Sequence, residues 1–328
     1  MNKISVIIFT YKRAILLQNC LETLLKNFKN LNFPIHVIYH YDKGHEKSYL
    51  KLQEHFKHKD IKFYKREKVF FFKWISKLLR PLNLLWILRW PVLLKEMNNF
   101  KEILENILEK VDSKFVTLCP DDMIYFDETL VDNSALKFLN DNGDNYQYRY
   151  FTSDKFNIPH NINKNLKKKY FEVNNKQHYF SWSLKDKYAS GVWKYRFTVE
   201  GTVYNKKSLL KFLKPMIYHN PITLEAIGLW ESRIRNFFDN GLSSVNRTAA
   251  TYQVNNVQNL VNTATAKFDS SLMMQAYNLG YKFLYEKNDF YENYSDTIPK
   301  ELFFYKNDIN SKIKYEDLKL LLSKNMNK

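Results

Sequence analysis

Two adjacent acidic residues follow a short apolar run. The run 115–118 ends two residues before Pro120, and Asp121 and Asp122 come directly after that proline. Neighbouring carboxylates at the end of a strand can hold a divalent cation, which neutralises the charge that grows on a leaving diphosphate. The alternative is purely structural, because Pro-Asp is a common turn pair.

Polar residues also follow the first two apolar runs of the chain. Thr10, Tyr11 and Arg13 come after the run 4–9, and Arg13 stands at the expected start of a helix. Helix starts bind anions well, and the alternative for Arg13 is an ordinary solvated helix residue. Asp42 follows the second run and precedes Gly44, where a turn aspartate is the alternative to a binding role.

The elements that position these residues alternate between strand and helix. Apolar β-branched runs predict buried strands, and apolar residues at i, i+3 and i+4 predict helices. The predicted order is strand 4–9, helix 13–27, strand 35–41, helix 46–58, strand 61–64, helix 99–110 and strand 115–118. Such alternation predicts an α/β fold with a Rossmann-like, mostly parallel sheet flanked by helices. Ligands bind at the carboxyl ends of the strands in such sheets.

The pattern weakens past Asp144. We predict strands at 146–151 and 192–199, and helices at 207–213, 223–240 and 270–281. This division gives a ligand-binding half, 1–145, with a basic aromatic insertion at 66–96, and a second half, 146–328. No linker separates the halves, so we expect both to build on one sheet.

The chain resembles a known family in its opening and in its acidic motif. Ser5-Val-Ile-Ile-Phe-Thr-Tyr-Lys-Arg13, followed by Cys20-Leu-Glu-Thr-Leu24, is similar to the S-V-I-I-P-T-Y-N-R and C-L-x-S-L segments of family-2 glycosyltransferases. The segment F-V-T-L-C-P-D-D-M-I-Y-F, 115–126, resembles their metal-binding motif, with Met123 in place of a third acid. The segments 220–225 and 246–258 resemble a subgroup found among enzymes of polysaccharide and lipopolysaccharide assembly.

The resemblance implies a GT-A-like fold with a mixed, partly helical carboxyl-terminal acceptor region. It implies inverting transfer from a nucleotide-sugar donor, expected to be a UDP-sugar, to a glycan or lipid-linked acceptor. By the same resemblance Asp122 is the ligand of a divalent cation, Mn²⁺ or Mg²⁺, and Asp121 contacts the ribose. Asp42 would bind the pyrimidine nucleotide, and Thr10 and Tyr11 would contact its base.

An inverting transfer needs a carboxylate base that takes the proton of the acceptor hydroxyl. The candidates in the carboxyl half are Glu200, Glu225 and Glu231. We favour Glu225, because it opens a predicted helix beside the loop 219–221, and we keep Glu200 in reserve. The alternative for Glu225 is a first-turn glutamate that stabilises the helix dipole.

A net charge of +17 calls for an anionic partner. Between residues 62 and 95 there are nine Lys and Arg against one acidic residue, with tryptophans interspersed. Lys73, Lys77 and Arg80 share one predicted helix face, with Trp74 and Trp86 among the apolar positions. This predicts interfacial helices on an anionic membrane, or else a core helix pair with a solvated basic edge.

Composition and motifs limit the location and the partners that we expect for the protein. The chain lacks 18 consecutive uncharged apolar residues and a signal-peptide core, so we expect a cytoplasmic protein on the inner face of the membrane. The alternative function is a basic nucleic-acid-binding α/β module without catalysis. Nucleic acid is not expected, because such a module gains nothing from adjacent aspartates in its cleft. Whether the chain forms a homo-oligomer stays open.

Overall fold

The computed structural model describes most of the chain. The described residues are 2–69, 80–89, 98–154, 165–173, 176–255, 268–285, 290, 298–299 and 301–326.

A nine-stranded sheet forms the centre of the molecule. The strands are β1 (Ile4–Tyr11), β2 (Leu31–His40), β3 (Ile61–Lys65), β4 (Phe115–Pro120), β6 (Tyr146–Arg149), β7 (Lys168–Val173), β8 (Lys176–Ser183), β9 (Thr202–Asn205) and β10 (Asn240–Ser244). Their order in the sheet is β3-β2-β1-β4-β9-β6-β10-β8-β7. All run in one direction except β9 and β8, which pair antiparallel with their neighbours. The predicted α/β fold with a mostly parallel sheet is therefore confirmed.

Helices cover both faces of this sheet. They are α1 (Ala14–Asn27), α2 (Glu46–His55), α3 (Pro81–Arg89), α4 (Phe100–Lys110), α5 (Asn133–Asp141), α6 (Lys206–Leu213), α7 (Pro221–Ile234), α8 (Ser270–Asn278) and α9 (Tyr315–Met326). Alternate residues of β1 enter two separate cores. Val6 and Ile8 pack with α1 and α2, whereas Ile7 and Phe9 pack with α4 and Trp86 of α3. Burial on both faces explains why β1 is apolar throughout.

Two small sheets complete the fold. The strand β5 (Met123–Tyr125), directly after the acidic pair, joins β11 (Ala249–Thr251). Near the end of the chain, β12 (Lys282–Leu284), β13 (Phe303–Tyr305) and β14 (Ile313–Lys314) form an antiparallel sheet. The first pairing matters for the site, because it fixes a late segment of the chain beside Asp122.

The prediction of a strand at 192–199 is wrong. The structure has a 3-10 turn, Gly191–Lys194, followed by irregular chain. The backbone carbonyls of Val192 and Tyr195 accept hydrogen bonds from the buried Arg149 guanidinium, and the carbonyl of Trp193 accepts one from Trp182. Side chains therefore satisfy backbone groups that a strand would pair in a ladder.

The helix predicted at 223–240 is too long and begins late. It runs over 221–234 and ends where Asn236 adopts a φ of 54°, a left-handed conformation that stops helices. Four strands of the central sheet, β7, β8, β9 and β10, were not predicted from the sequence. Residues of β10 such as Gly241 and Ser243 do not alternate between apolar and polar, so periodicity gives no strand signal there.

The predicted solvated basic face does not include Arg80. Its guanidinium binds both carboxylate oxygens of Glu231, at 2.8 and 2.7 Å, and Trp86 is buried in the core rather than placed at a membrane surface. Lys73, Lys77 and Trp74 lie outside the described residues. Among the described residues, no helix is both long enough and apolar enough to cross a membrane.

Candidate functional site

The parallel strands β1, β2 and β4 deliver the predicted residues to one edge of the sheet. β1 pairs with β2 on one side and with β4 on the other, so the three carboxyl ends lie together. Arg13 follows β1, Asp42 follows β2, and Asp121 follows β4.

Arg13 bridges the two aspartates. Its Nε lies 3.2 Å from Asp121 Oδ2, and its Nη2 forms an ion pair with Asp121 Oδ1. Its Nη1 donates to Asp122 Oδ2 at 3.0 Å. Arg13 is the N-cap residue of α1 and lies in the short connection between β1 and α1. From the sequence, Arg13 was expected at a helix start that binds anions. In the structure, the anions that Arg13 binds are these two carboxylates.

Burial dominates the titration of this pair. It raises the pKa of Asp121 to about 6, and the Arg13 guanidinium opposes that rise. The pKa of Asp122 is raised for the same reason and is opposed in the same way. One arginine thus partly offsets the cost of two buried carboxylates.

Two buried side-chain oxygens near Arg13 have no hydrogen bond from the described residues. Asp122 Oδ1 is buried and accepts no hydrogen bond from the described residues. Asn255 Oδ1 is a second buried oxygen without a hydrogen bond in the described part of the chain, and the Asn255 backbone carbonyl lies 3.4 Å from Arg13 Nη1. Mg²⁺ is typically held by one or two protein oxygens together with substrate phosphates. No group of three His, Cys, Asp or Glu residues suited to a metal occurs among the described residues.

A buried tyrosine of α2 fixes the loop that carries Arg13. The hydroxyl of Tyr49 lies 2.8 Å from Thr10 Oγ1 and accepts a hydrogen bond from the Arg13 backbone N–H at 3.3 Å. Thr10 also contributes a hydrogen bond that lowers the pKa of Asp121. In this structure Thr10 therefore binds protein groups and holds the end of β1 in place.

Tyr11, His40 and Asp42 form an accessible platform next to this loop. The rings of Tyr11 and His40 stack with centroids 5.5 Å apart and an interplanar angle of 11°. The Tyr11 hydroxyl donates to Asp42 Oδ1 at 3.3 Å, and Lys12 forms an ion pair with the other Asp42 oxygen. Lys12 has a φ of 58°, which costs energy for a residue with a side chain and is frequent at functional sites.

Glu200 lies beside the acidic turn although it is distant in sequence. β9 begins at Thr202, which pairs with Leu118 of β4. Gly201 packs so closely on the turn that an added Cβ would lie 2.7 Å from Met123 Cε, and its φ is 54°. This approach brings Glu200 into electrostatic contact with Asp122 and with the two arginines Arg149 and Arg247.

Glu225, in the first turns of α7, joins this site through its electrostatic contact with Glu200. Asn220 caps this helix through a capping box with Thr223, and Pro221 stands at its first turn. Glu225 Oε1 accepts a hydrogen bond from the Val199 backbone N–H at 3.1 Å. The carboxylate therefore holds the loop that leads to Glu200. Glu231 does not join them, because it is fully buried and bound to Arg80.

The two glutamates differ in their hydrogen bonds. Among the described residues, none donates a hydrogen bond to the Glu200 carboxylate. Burial, followed by the Glu225 and Asp122 carboxylates, raises the pKa of Glu200 to about 8. Burial also raises the pKa of Glu225, whereas its hydrogen bonds from Thr198 and Val199 oppose the rise.

Several residues of this site were not predicted from the sequence. They are Lys12, His40, Tyr49, Arg149, Arg247 and Asn255. Tyr49 carried a weak signal, because it shares the apolar face of α2 with Leu52. Arg149 carried none, since a basic residue in a short strand reads as exposed, yet it is fully buried.

Comparisons with known proteins are distant. No protein-family model matches the chain, and no curated protein matches it in sequence. Among solved structures, the chain is similar to S. aureus TarS 1–349, with 17% identity over 75% of this chain and 58% of that chain, and a TM-score of 0.37. The complex of that protein with UDP gives 17% identity, the same coverage and a TM-score of 0.39. The complex with UDP-GlcNAc gives 14%, 75% and 56% coverage, and 0.38.

The chain spans less than three fifths of the length of these solved chains. The likeness is too distant to assign an activity. The resemblance to family-2 glycosyltransferases therefore stays a prediction from the opening and acidic motifs.

Proposed function

We propose that the protein is an inverting glycosyltransferase that moves a sugar from a pyrimidine-nucleotide sugar, such as a UDP-sugar, to a glycan or lipid-linked acceptor. One observation carries the proposal: Gly201 packs against Met123, and this places Glu200, from the carboxyl half, in electrostatic contact with Asp122 and Glu225. A donor-binding acidic turn and a candidate base thereby lie side by side.

The part of the site formed by Tyr11, His40 and Asp42 suits a nucleotide. The stacked Tyr11 and His40 rings offer a flat surface, and the Asp42 carboxylate beside them is 56% exposed and can accept hydrogen bonds from a pyrimidine or ribose. Asp121, which is held by Arg13, has no exposed surface. We therefore assign nucleotide binding to Asp42 and Tyr11, and we assign to Asp121 the role of fixing Arg13.

The residues around Asp122 fit a divalent cation. Its unbonded Oδ1, with Asn255 Oδ1 as a further oxygen donor, would hold Mn²⁺ or Mg²⁺. When bound, such an ion supplies positive charge that stabilises the leaving diphosphate. Arg13 keeps the other carboxylate oxygens of the pair oriented and partly neutralised.

We assign the catalytic base to Glu200 rather than to Glu225, which the sequence favours. The Glu225 carboxylate is committed to the Val199 N–H, whereas Glu200 is not bound in this way. In the proposed step, the acceptor oxygen attacks the anomeric carbon while its proton moves to the Glu200 carboxylate. The bond from that carbon to the diphosphate oxygen breaks, and the diphosphate leaves with the electron pair.

Ligand-induced thermal stabilisation tests the donor assignment. A panel of nucleotide sugars is added to the protein with Mn²⁺ or with a chelator, and the melting temperature is compared. A ligand at about 100 times its dissociation constant stabilises by about 2.7 kcal/mol, so a true donor gives a clear shift. The variant Asp42→Asn should shift less, and Glu128→Gln, at an exposed glutamate, should match wild type. If millimolar concentrations of every nucleotide sugar leave the melting temperature unchanged, the proposed function is wrong.

A further inference from the structure

An exposed apolar surface lies on α3 and α7. Leu84, Leu85 and Leu88 point outward from α3, and we call these three the leucine face. Leu88 is 79% exposed, which is unusual for a leucine in a folded protein. Trp230 and Ile234 of α7 are also exposed and belong to the helix on which α3 packs.

α3 is fixed firmly in this orientation. Arg80, just before the helix, binds Glu231 of α7 through both carboxylate oxygens, and Asn83 donates to the Pro215 carbonyl at 3.0 Å. Trp86 is buried, with its ring centroid 6.3 Å from that of Trp230. Because Asn83 and Trp86 define the inward side of the helix, the leucine face is its outward side.

We propose that the leucine face and Trp230 insert into the surface of an anionic lipid bilayer. Leucines and tryptophan are the side chains that amphipathic helices place at the boundary between headgroups and acyl chains. The exposed Arg233 lies over the Trp230 ring at 5.6 Å, which puts a cation next to the apolar surface. Of the basic residues expected at the membrane from the sequence, Arg80 is bound to Glu231 instead, whereas Lys73 and Lys77 lie outside the described residues.

Charge favours a lipid surface over a second copy of the chain. The protein carries a net charge of +17, so two copies repel each other, whereas an anionic leaflet attracts the chain from a distance. Apolar contact then adds to this attraction at short range.

The surface also lies close to the proposed chemistry. Glu225 and Trp230 are five residues apart on α7, about 7.5 Å along the helix axis. The sugar end of a lipid-linked acceptor anchored in the leaflet would therefore lie near Glu225 and Glu200. This role in presenting an acceptor rests on the proposed function, whereas the exposed surface and its contact with lipid do not.

Vesicle co-sedimentation of the full chain tests the inference. Phosphatidylcholine vesicles are compared with vesicles containing one quarter phosphatidylglycerol, at 50 and 300 mM salt. We expect wild type to bind the anionic vesicles, and to bind them less at high salt. The variant Leu84→Gln/Leu85→Gln/Leu88→Gln should partition at least tenfold more weakly.

The control is Leu320→Gln/Leu321→Gln, which removes two exposed leucines of α9 and should bind as wild type does. If the triple variant fails to fold, the single Leu88→Gln change is the test, with a weaker but measurable loss. Equal binding by the leucine-face variant and wild type overturns the inference, as does a wild type that ignores anionic vesicles. A wild-type dimer that the triple variant converts to monomer, without vesicle binding, overturns it in favour of self-association.

Donor-induced thermal stabilisation is measured on the same variants and should not change. If no nucleotide sugar raises the melting temperature of wild type, the proposed function is refuted, but the conclusion from the vesicles still holds. Vesicle binding that is lost together with donor stabilisation would point to unfolding rather than to a membrane contact.

Discussion

Glu200 and Glu225 differ in what their carboxylates already bind. Glu225 accepts the Val199 N–H, whereas Glu200 faces Asp122 and two arginines. We expect Glu200→Gln to slow transfer by roughly 10²–10⁴-fold at saturating substrates, the usual contribution of a positioned base. Glu225→Gln keeps an oxygen that can accept from Val199 and should cost less. Steady-state turnover of both variants decides this, and a larger loss in Glu225→Gln would return the base to Glu225.

The raised pKa of Glu200 predicts a pH dependence of stability. In the folded protein, burial raises the pKa of this carboxyl from its ordinary value of 4.5 to about 8. Between these values the folded state holds a proton that the unfolded state has lost, so this group makes the free energy of unfolding fall as pH rises from about 4.5 to 8. Glu200→Gln removes the effect and should become more stable relative to wild type across that window. Denaturant unfolding at pH 5 and pH 9 measures the difference, and a constant difference would contradict the assignment.

The Arg13 bridge predicts a different pH response. Arg13→Met leaves two buried carboxylates without their cation, which typically costs about 3 kcal/mol or more. Protonation of Asp121 relieves that cost, so the loss should be larger at pH 8 than at pH 5. The free energy of unfolding at the two pH values is the measurement. A loss that does not depend on pH would mean that packing, rather than charge, explains the effect of Arg13.

At the scale of elements, the entry into β9 sets the position of Glu200. Gly201 has a left-handed φ, and an added Cβ would lie 2.7 Å from both Met123 Cε and Tyr150 Cε2. We expect Gly201→Ala to destabilise the protein by about 1–3 kcal/mol and to lower turnover, because the loop must move away from the acidic turn. Gly44→Ala is the matched control, since no atom lies within 4 Å of an added Cβ there. If both variants retain full activity, the close approach of Gly201 does not position Glu200.

At the scale of the whole molecule, the two halves of the chain form one continuous sheet. β9 pairs with β4, so a strand from 146–328 is hydrogen-bonded directly to a strand from 1–145. We expect the fragment 1–145 alone to lack a cooperative unfolding transition, because the exposed edge of β4 and its core partners are missing. Circular dichroism during heating of the fragment and of the full chain tests this. A sharp transition in the fragment would show that the first half is an independent domain.

The sequence by itself determined the elements whose signals are local. The apolar run of β1, the periodicity of α1 and the strand before Asp121 each reflect burial within one segment, so pattern alone predicts them. Parallel order then predicts that Arg13, Asp42 and Asp121 meet at one edge, and they do.

Tertiary structure alone decided how these groups are used. The local sequence does not predict that Arg13 bridges the acidic pair or that Arg80 binds Glu231. Nor does it predict that Arg149 donates hydrogen bonds to the backbone carbonyls of 192 and 195, which a strand there would pair with a neighbouring strand. Each is a contact between residues far apart in sequence, and an arginine has the same local pattern whether it is solvated or paired in a core. The choice between Glu200 and Glu225 likewise depends on the Val199 N–H, a partner that only the folded chain brings to Glu225.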